Sequence, residues 1–164
     1  MKNILEGLAK TQQTLDIRPL MVLRLQTTAV DIGRSAVGMR RVATVERGEF
    51  EGMPDGLSGH VHAGGNDWIT VETDGSTRLD AKVVLQTRAA EKILMSYHGI
   101  RHGPPGTLKN LALGLPVDPA DYYFRIMPSF ETSSKAFEWL NRIVAVGVGQ
   151  RLPDGVVYSV FEVL

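Results

Sequence analysis

Apolar and polar residues alternate along much of this chain with the two-residue period that is typical of β-strands. Residues 68–73 alternate in this way, and residues 40–50 do so more loosely, with Val42 and Thr44 on one face. Other stretches are apolar and β-branched and are bounded by turn residues. The pattern predicts eight strands, over residues 20–30, 40–50, 68–73, 77–87, 92–99, 122–127, 141–150 and 156–163.

The segments between the predicted strands contain typical turn and loop residues. Asp74-Gly75 and Pro153-Asp154-Gly155 are typical of tight hairpin turns. Residues 103–119 are rich in proline and predict a long loop. Residues 135–140 predict a short helical turn or the entry to a strand, and residues 3–13 a short helix or a loose arm.

This succession of short strands without a long helix predicts an all-β fold, either an antiparallel barrel or a sandwich. We favour a barrel of about eight strands, because that number encloses an interior that holds either side chains or one small ligand. Neither an internal repeat nor a shift in composition divides the 164 residues. We therefore expect one β-barrel domain over residues 19–164, preceded by an N-terminal arm or short helix over residues 1–18.

Composition narrows the range of functions. The chain has no cysteine, which excludes disulfides, thiolate metal ligands and cysteine nucleophiles. Its 18 basic and 18 acidic residues cancel, so nothing electrostatic favours a nucleic acid as partner, and neutrality is compatible with a homo-oligomer. No apolar run approaches the roughly 18 residues of a membrane span, and the early Glu6 argues against a secretory signal. We expect a cytoplasmic homo-oligomer without a membrane or nucleic-acid partner.

The densest group of chemically active residue types lies at residues 57–68, between two predicted strands. It contains two histidines, a double glycine, an aspartate and one of the two tryptophans. Glycine lets the backbone turn tightly or approach a ligand closely. Asp67-Trp68 then places a charged group beside a large apolar ring, a combination that favours the mouth of a pocket.

This segment belongs to an ordered series of motifs that runs from about Pro19 to the C-terminus. The motifs are Gly38-Met39-Arg40-Arg41-Val42, Gly48-Glu49-Phe50-Glu51-Gly52, Gly64-Gly65-Asn66-Asp67-Trp68, Leu79-Asp80, Tyr97-His98-Gly99, Tyr122-Tyr123-Phe124-Arg125, Pro128-Ser129-Phe130-Glu131-Thr132, Trp139-Leu140-Asn141 and Tyr158-Ser159-Val160-Phe161-Glu162-Val163. In this series the chain resembles the UPF0311/DUF3237 family of small β-barrel proteins. The resemblance implies an eight-stranded antiparallel barrel, allene-oxide-cyclase-like or calycin-like, and no single activity. The turn at residues 87–91 departs from the family pattern.

The family motifs match this chain at residue types that suit acid–base chemistry inside the barrel. The predicted catalytic residues are Arg40, Asp67, Tyr97 and Glu131, and the predicted substrate-binding residues are Trp68, Asp80, Trp139 and Asn141. A carboxylate in a desolvated pocket has a raised pKa and can exchange a proton near neutral pH. Arginine can hold a substrate oxygen, and tyrosine can donate a hydrogen bond to a developing oxyanion. The structural alternative is a buried Arg–Asp pair that only closes the barrel.

A metal site is the alternative for the histidines. His60 and His62 have the His-x-His spacing seen in double-stranded β-helix oxygenases, and His98 and His102 are the other two histidines of the chain. Imidazole and carboxylate ligands would suit zinc, iron or manganese. However, Asn66-Asp67 stands where such sites have a glutamate, and the family motif does not require these histidines. We therefore predict no metal and no cofactor.

These residues predict a cofactor-independent enzyme that acts on a small organic molecule in the barrel. Isomerisation, cyclisation, elimination and lactone-type hydrolysis fit best, because they need only a positioned acid and base. Two other functions stay open: a barrel that binds a small molecule without turnover, and a structural subunit of an oligomer.

Overall fold

The structure is a computed structural model and describes residues 4–164 of the chain. Within them, nine β-strands account for most of the residues. Their bounds are β1 Ile17–Ser35, β2 Gly38–Gly52, β3 Ser58–Val61, β4 Asn66–Val71, β5 Thr77–Thr87, β6 Lys92–His102, β7 Tyr123–Glu131, β8 Val144–Leu152 and β9 Gly155–Val163.

Backbone hydrogen bonds close these strands into a ring. Strand β1 pairs antiparallel with both β2 and β9, which joins the start of the sheet to its end. Strands β3 and β4 each pair with β2 on one side and β5 on the other, so together they fill one place in the ring. Strands β5 to β9 follow in chain order. This closed antiparallel ring of eight places confirms the predicted all-β fold of about eight strands.

Side chains alternate between the interior of the ring and its outer face. In β5 the odd-numbered residues from Thr77 to Thr87 are buried, and in β9 the even-numbered residues from Val156 to Glu162 are buried. Apolar side chains fill much of the interior, and burying each one contributes about 1.5–3 kcal/mol. The most completely buried include Leu23, Leu25, Leu85, Ile93 and Met95.

Short helical segments connect the strands. The predicted loop over residues 103–119 is wrong in part, because it contains the helix α1, Pro105–Ala112. Proline suits the first turn of a helix, where the missing N–H would have no partner, and Leu111 packs α1 onto the barrel core. Single 3₁₀ turns cover Ile4–Gly7, Lys10–Gln12, Pro119–Asp121 and Glu138–Arg142. Among residues 4–164, no helix has both the length and the apolar character needed to cross a membrane.

The N-terminal arm expected over residues 1–18 contains the first two of these 3₁₀ turns, and β1 begins at its end. Its first three residues lie outside the described part of the chain.

The glycine-rich segment at residues 57–68 contains β3, which its sequence pattern did not predict, a turn and the start of β4. Gly64 lies in the turn with a φ of +92°, a conformation that favours glycine. The turn is tied to β2 at Val45, whose N–H donates to the Gly65 carbonyl at 2.7 Å and whose carbonyl accepts from the Gly64 N–H at 2.9 Å. These bonds fix where β4 begins and therefore which of its side chains point inward.

The contact between β9 and β1 can be tested at Gly155. A Cβ at this position would lie 1.8 Å from the Leu25 carbonyl oxygen, a backbone atom that is held in the sheet. We predict that Gly155→Ala lowers the free energy of unfolding by at least about 2 kcal/mol. Urea unfolding followed by circular dichroism measures this difference.

Gly106 in α1 provides the matched control, because a Cβ there would meet nothing within 4 Å. Gly106→Ala should leave the free energy of unfolding unchanged or raise it by up to about 1 kcal/mol, since alanine is the better helix former. Equal free energies of unfolding for the two variants would contradict the close packing of β9 on β1.

Candidate active site

A cavity of about 80 Å³, here called the inner cavity, lies inside the ring of strands. Such a cavity has room for a few non-hydrogen atoms of a ligand. Polar side chains on its wall include Asp67, Tyr97, Arg101, Arg151 and Tyr158. Much of the remaining wall is apolar, including Leu25, Val45, Leu79, Val83 and Phe124. The polar groups therefore act in a largely water-poor environment, where electrostatic interactions are strong.

Asp67 reaches the inner cavity because of its place in β4. The alternation along the strand turns Asp67 and Ile69 towards the cavity, whereas Trp68 points to the outer face and is 46% exposed. Asp67 itself is only 9% exposed. One carboxylate oxygen, Oδ1, accepts a hydrogen bond of 3.1 Å from the backbone N–H of Asp80 on the neighbouring strand β5. The sheet thus holds the carboxyl group in one orientation.

Burial dominates the electrostatics of Asp67. It raises the pKa of this carboxyl from 3.8 to about 7, because the ionised form loses its hydration. The hydrogen bond from Asp80 and the positive charge of Arg101 oppose this rise, and the negative charge of Asp80 adds to it. At neutral pH both the protonated and the ionised form of Asp67 are therefore populated, as acid–base catalysis requires.

Two buried tyrosines stand beside Asp67 in the inner cavity. Tyr97 on β6 is 2% exposed and Tyr158 on β9 is 1% exposed, and their ring centroids lie 5.3 Å apart in an edge-on arrangement. Burial raises the pKa of both phenols, and the negative charge of Asp67 raises them further. Both hydroxyls therefore stay protonated near neutral pH, so they can donate hydrogen bonds to an oxygen that gains negative charge.

Of the residues predicted from the sequence, Asp67 and Tyr97 lie on the wall of the inner cavity. Arg40, Trp68 and Asp80 do not: they line a groove on the outer face, and Arg40 also lines a larger cavity beside α1. Each directly neighbours an inward-facing residue in its strand, and the two-residue alternation therefore turns it outward. Asp80 still contributes to the site through its backbone N–H.

The other three predicted residues also lie away from the inner cavity. Glu131 is exposed at the end of β7, and Trp139 lines a separate surface groove. Asn141 has a structural contact: its side-chain amide accepts from the Thr132 N–H at 2.8 Å and donates to the Thr132 carbonyl at 2.9 Å. This pair of bonds fastens the 3₁₀ turn at Glu138–Arg142 to the end of β7.

The alternative metal ligands His60 and His62 lie beside each other, with ring centroids 5.3 Å apart. His62 Nε2 is 2.6 Å from Gln86 Oε1. His98 lies elsewhere, with Nε2 3.6 Å from Asp80 Oδ1. Across residues 4–164, no three histidine, aspartate or glutamate side chains come together in a way that could hold a metal ion.

Sequence reasoning missed Tyr158 and the arginines of the cavity wall. The two-residue period contained the signal: Arg101 is four residues beyond Tyr97 in β6 and so lies on the same face. Tyr158 likewise shares its face of β9 with the apolar Val156 and Val160. A polar side chain on an otherwise apolar inward face is the pattern that identifies such residues.

Comparison with known proteins gives the family. The family described as protein of unknown function (DUF3237) matches residues 15–163, which include every residue that lines the inner cavity. The chain is 36% identical to the UPF0311 protein RPA1785 of Rhodopseudomonas palustris over 138 residues, which cover 84% of this chain and 87% of that protein. The crystal structure of RPA1785 is similar with a TM-score of 0.88 at 32% identity, over 92% of this chain and 99% of that one.

Two further crystal structures share the fold. A beta-barrel-like protein from Acinetobacter baumannii has a TM-score of 0.79 at 35% identity, over 92% of this chain and 97% of its own. An enzyme from Penicillium herquei has a TM-score of 0.69 at 19% identity, over 96% and 100%. Because the family match covers almost the whole chain and the relatives are more than 30% identical, this protein belongs to the DUF3237 family, whose curated relatives carry the name UPF0311.

Proposed function

We propose that this protein is a cofactor-independent enzyme that acts on a small organic molecule in the inner cavity by acid–base chemistry. The observation that carries the proposal is the meeting of one buried carboxyl group, Asp67, with two buried phenol hydroxyls, Tyr97 and Tyr158, on the wall of one cavity. A carboxyl group and hydroxyl donors that share a cavity are the groups that proton transfer to and from a substrate needs.

Asp67 has the role of general base in this proposal. Its pKa of about 7 leaves an ionised fraction near neutral pH, and the water-poor wall makes that carboxylate a stronger base than an exposed one. Tyr97 and Tyr158 have the complementary role. Because their hydroxyls stay protonated, each can donate a hydrogen bond to the oxygen on which negative charge develops as the proton leaves.

This division of roles favours reactions that begin with removal of a proton next to a carbonyl group. An enolate formed in this way would have its oxygen held by the two hydroxyls, and it could go on to isomerise, cyclise or eliminate a leaving group. Lactone-type hydrolysis fits the same groups when Asp67 removes the proton from a water molecule. The inner cavity, at about 80 Å³, encloses only the reacting end of such a substrate.

The proposal can be tested without a known substrate, through exchange of carbon-bound hydrogen in heavy water. The purified protein is incubated in D₂O with pools of small ketones, esters, lactones and acids, and mass spectrometry follows deuterium incorporation. We predict incorporation into at least one compound. Asp67→Asn should lower its rate at least about 100-fold, and Tyr97→Phe and Tyr158→Phe should each lower it about 10-fold or more.

Asp55→Asn serves as the matched control, because Asp55 is an exposed aspartate between β2 and β3 and should leave the exchange rate unchanged. An exchange rate that Asp67→Asn does not lower would exclude Asp67 as the base. Retention of a compound without exchange or conversion would instead identify a barrel that only binds its ligand.

The raised pKa of Asp67 also predicts a dependence of stability on pH. Since the folded-state pKa of about 7 exceeds the ordinary value of 3.8, the folded protein holds the Asp67 proton more tightly than the unfolded chain does. Asp67 therefore lowers the free energy of unfolding as pH rises from about 4 to about 7, and this loss is complete above pH 7.

An asparagine amide does not ionise and so avoids this loss of stability. Asp67→Asn should therefore be more stable than the natural protein by about 2 to 4 kcal/mol at pH 8.

Urea unfolding at pH 4.5, 6 and 8 measures this effect. The difference between Asp67→Asn and the natural protein should be small at the lowest pH and grow with each step. Asp55→Asn should show no such growth, because an exposed carboxylate stays hydrated in both states. A destabilising effect of Asp67→Asn at pH 8 would show that the ionised carboxylate has a stabilising partner.

A further inference from the structure

The inner cavity adjoins a larger one, here called the outer cavity, which lies between the barrel and α1. The outer cavity has a volume of about 650 Å³, and Leu108 and Leu111 of α1 form part of its apolar wall. The residues that line both cavities form the neck between them. They are Arg41, Val71, Arg101 and Arg151. Three of these four residues carry a guanidinium group.

The three guanidinium groups of the neck lie close enough to repel one another. Burial lowers the pKa of Arg101, and the charge of Arg151 lowers it further. Burial likewise lowers the pKa of Arg151, with the charge of Arg41 as the next cause. Arginine stays charged in proteins, so this arrangement concentrates positive charge at the entrance to the inner cavity.

Two of the three arginines have compensating partners in the protein. Arg41 Nε lies 2.5 Å from Asp31 Oδ1. Arg151 donates to the carbonyl oxygens of Leu152 and Gly155 in the β8–β9 turn, and the charge of Asp154 acts on it as well. These contacts hold both groups at the neck.

Arg101 differs from the other two. Within the described residues it forms no salt bridge, and its buried Nε has no hydrogen-bond partner. Its Nη2 is 3.5 Å from Thr77 Oγ1, and its guanidinium carbon lies 5.5 Å from the centroid of the Phe124 ring. A buried charged donor without an acceptor is costly unless a ligand supplies that acceptor. Asp67 acts on Arg101 from the inner cavity, but this carboxyl group is only partly ionised at neutral pH. Positive charge therefore remains at the neck, and one carboxylate would match it.

We infer that the neck binds the carboxylate of the substrate, so the substrate class is an organic acid. This inference rests on the proposed function, in which the reacting end of the substrate lies beside Asp67 in the inner cavity. The carboxylate accepts hydrogen bonds from Arg101 at the neck, in the two-pronged geometry that a guanidinium offers. The apolar remainder of the molecule occupies the outer cavity against Leu108 and Leu111.

Benzoate and benzamide test the charge preference, because they share a ring and differ in the charge of one group. Isothermal titration calorimetry at pH 7.5 should give a dissociation constant for benzoate at least about 10-fold lower than for benzamide. Arg101→Gln should weaken benzoate binding about 10-fold or more and leave benzamide binding nearly unchanged. Arg78→Gln is the matched control, because Arg78 pairs with Glu72 on the outer face and should leave both affinities unchanged.

Equal affinity for benzoate and benzamide would overturn the inference. So would the absence of binding of either compound up to about 20 mM, which is near the weakest affinity worth measuring. This comparison needs only the natural protein and holds even if Arg101→Gln fails to fold. Unchanged benzoate binding by a folded Arg101→Gln, checked by circular dichroism, would also overturn it.

Asp67→Asn separates this inference from the proposed function. The variant removes a negative charge from the inner cavity, so it should bind benzoate at least as tightly as the natural protein while losing deuterium exchange. If the natural protein binds benzoate but exchanges hydrogen in no compound, carboxylate binding at the neck is supported and the proposed catalytic function is refuted. If it exchanges hydrogen in neutral ketones but does not prefer benzoate to benzamide, the catalytic function is supported and carboxylate binding at the neck is refuted.

Discussion

Closure of the sheet is the constraint on which the rest of this structure depends. Because β1 pairs with β9 as well as β2, all strands turn alternate side chains towards one shared interior. A shift of one residue in β4 would exchange Asp67 for Trp68 on the inward face. The same hydrogen bonds that close the ring therefore also decide which groups reach the inner cavity.

The closed ring imposes a cost at Asp67 that the proposed chemistry uses. The carboxyl group is largely buried and receives one backbone hydrogen bond, from Asp80. A purely structural role would call for a buried ion pair, but Arg40 lies on the outer face and no salt bridge joins Asp67 to a cation in residues 4–164. A buried carboxyl group that lowers stability and forms no ion pair is typical of a functional site.

Periodicity in the sequence was enough to predict the strands and the antiparallel class of the fold, because the alternation records which face of each strand is buried. It could not predict the four-residue strand β3, which is too short to show a period, or α1, which is held by the packing of Leu111 on the barrel. The family motifs led to Asp67 and Tyr97. The motifs do not show which of two adjacent strand residues faces inward. They therefore pointed to Arg40, whereas its neighbour Arg41 lines the inner cavity.

The central claim is that Asp67 is a proton-exchanging carboxyl group in a water-poor cavity. Carbon-13 NMR of the aspartate side-chain carboxyls, with the signal assigned by its absence in Asp67→Asn, follows its titration directly. We predict a midpoint at about pH 7, because burial outweighs the hydrogen bond from Asp80 and the charge of Arg101. A midpoint near the ordinary 3.8 would contradict it, since Asp67 would then be a hydrated, fully ionised group at neutral pH.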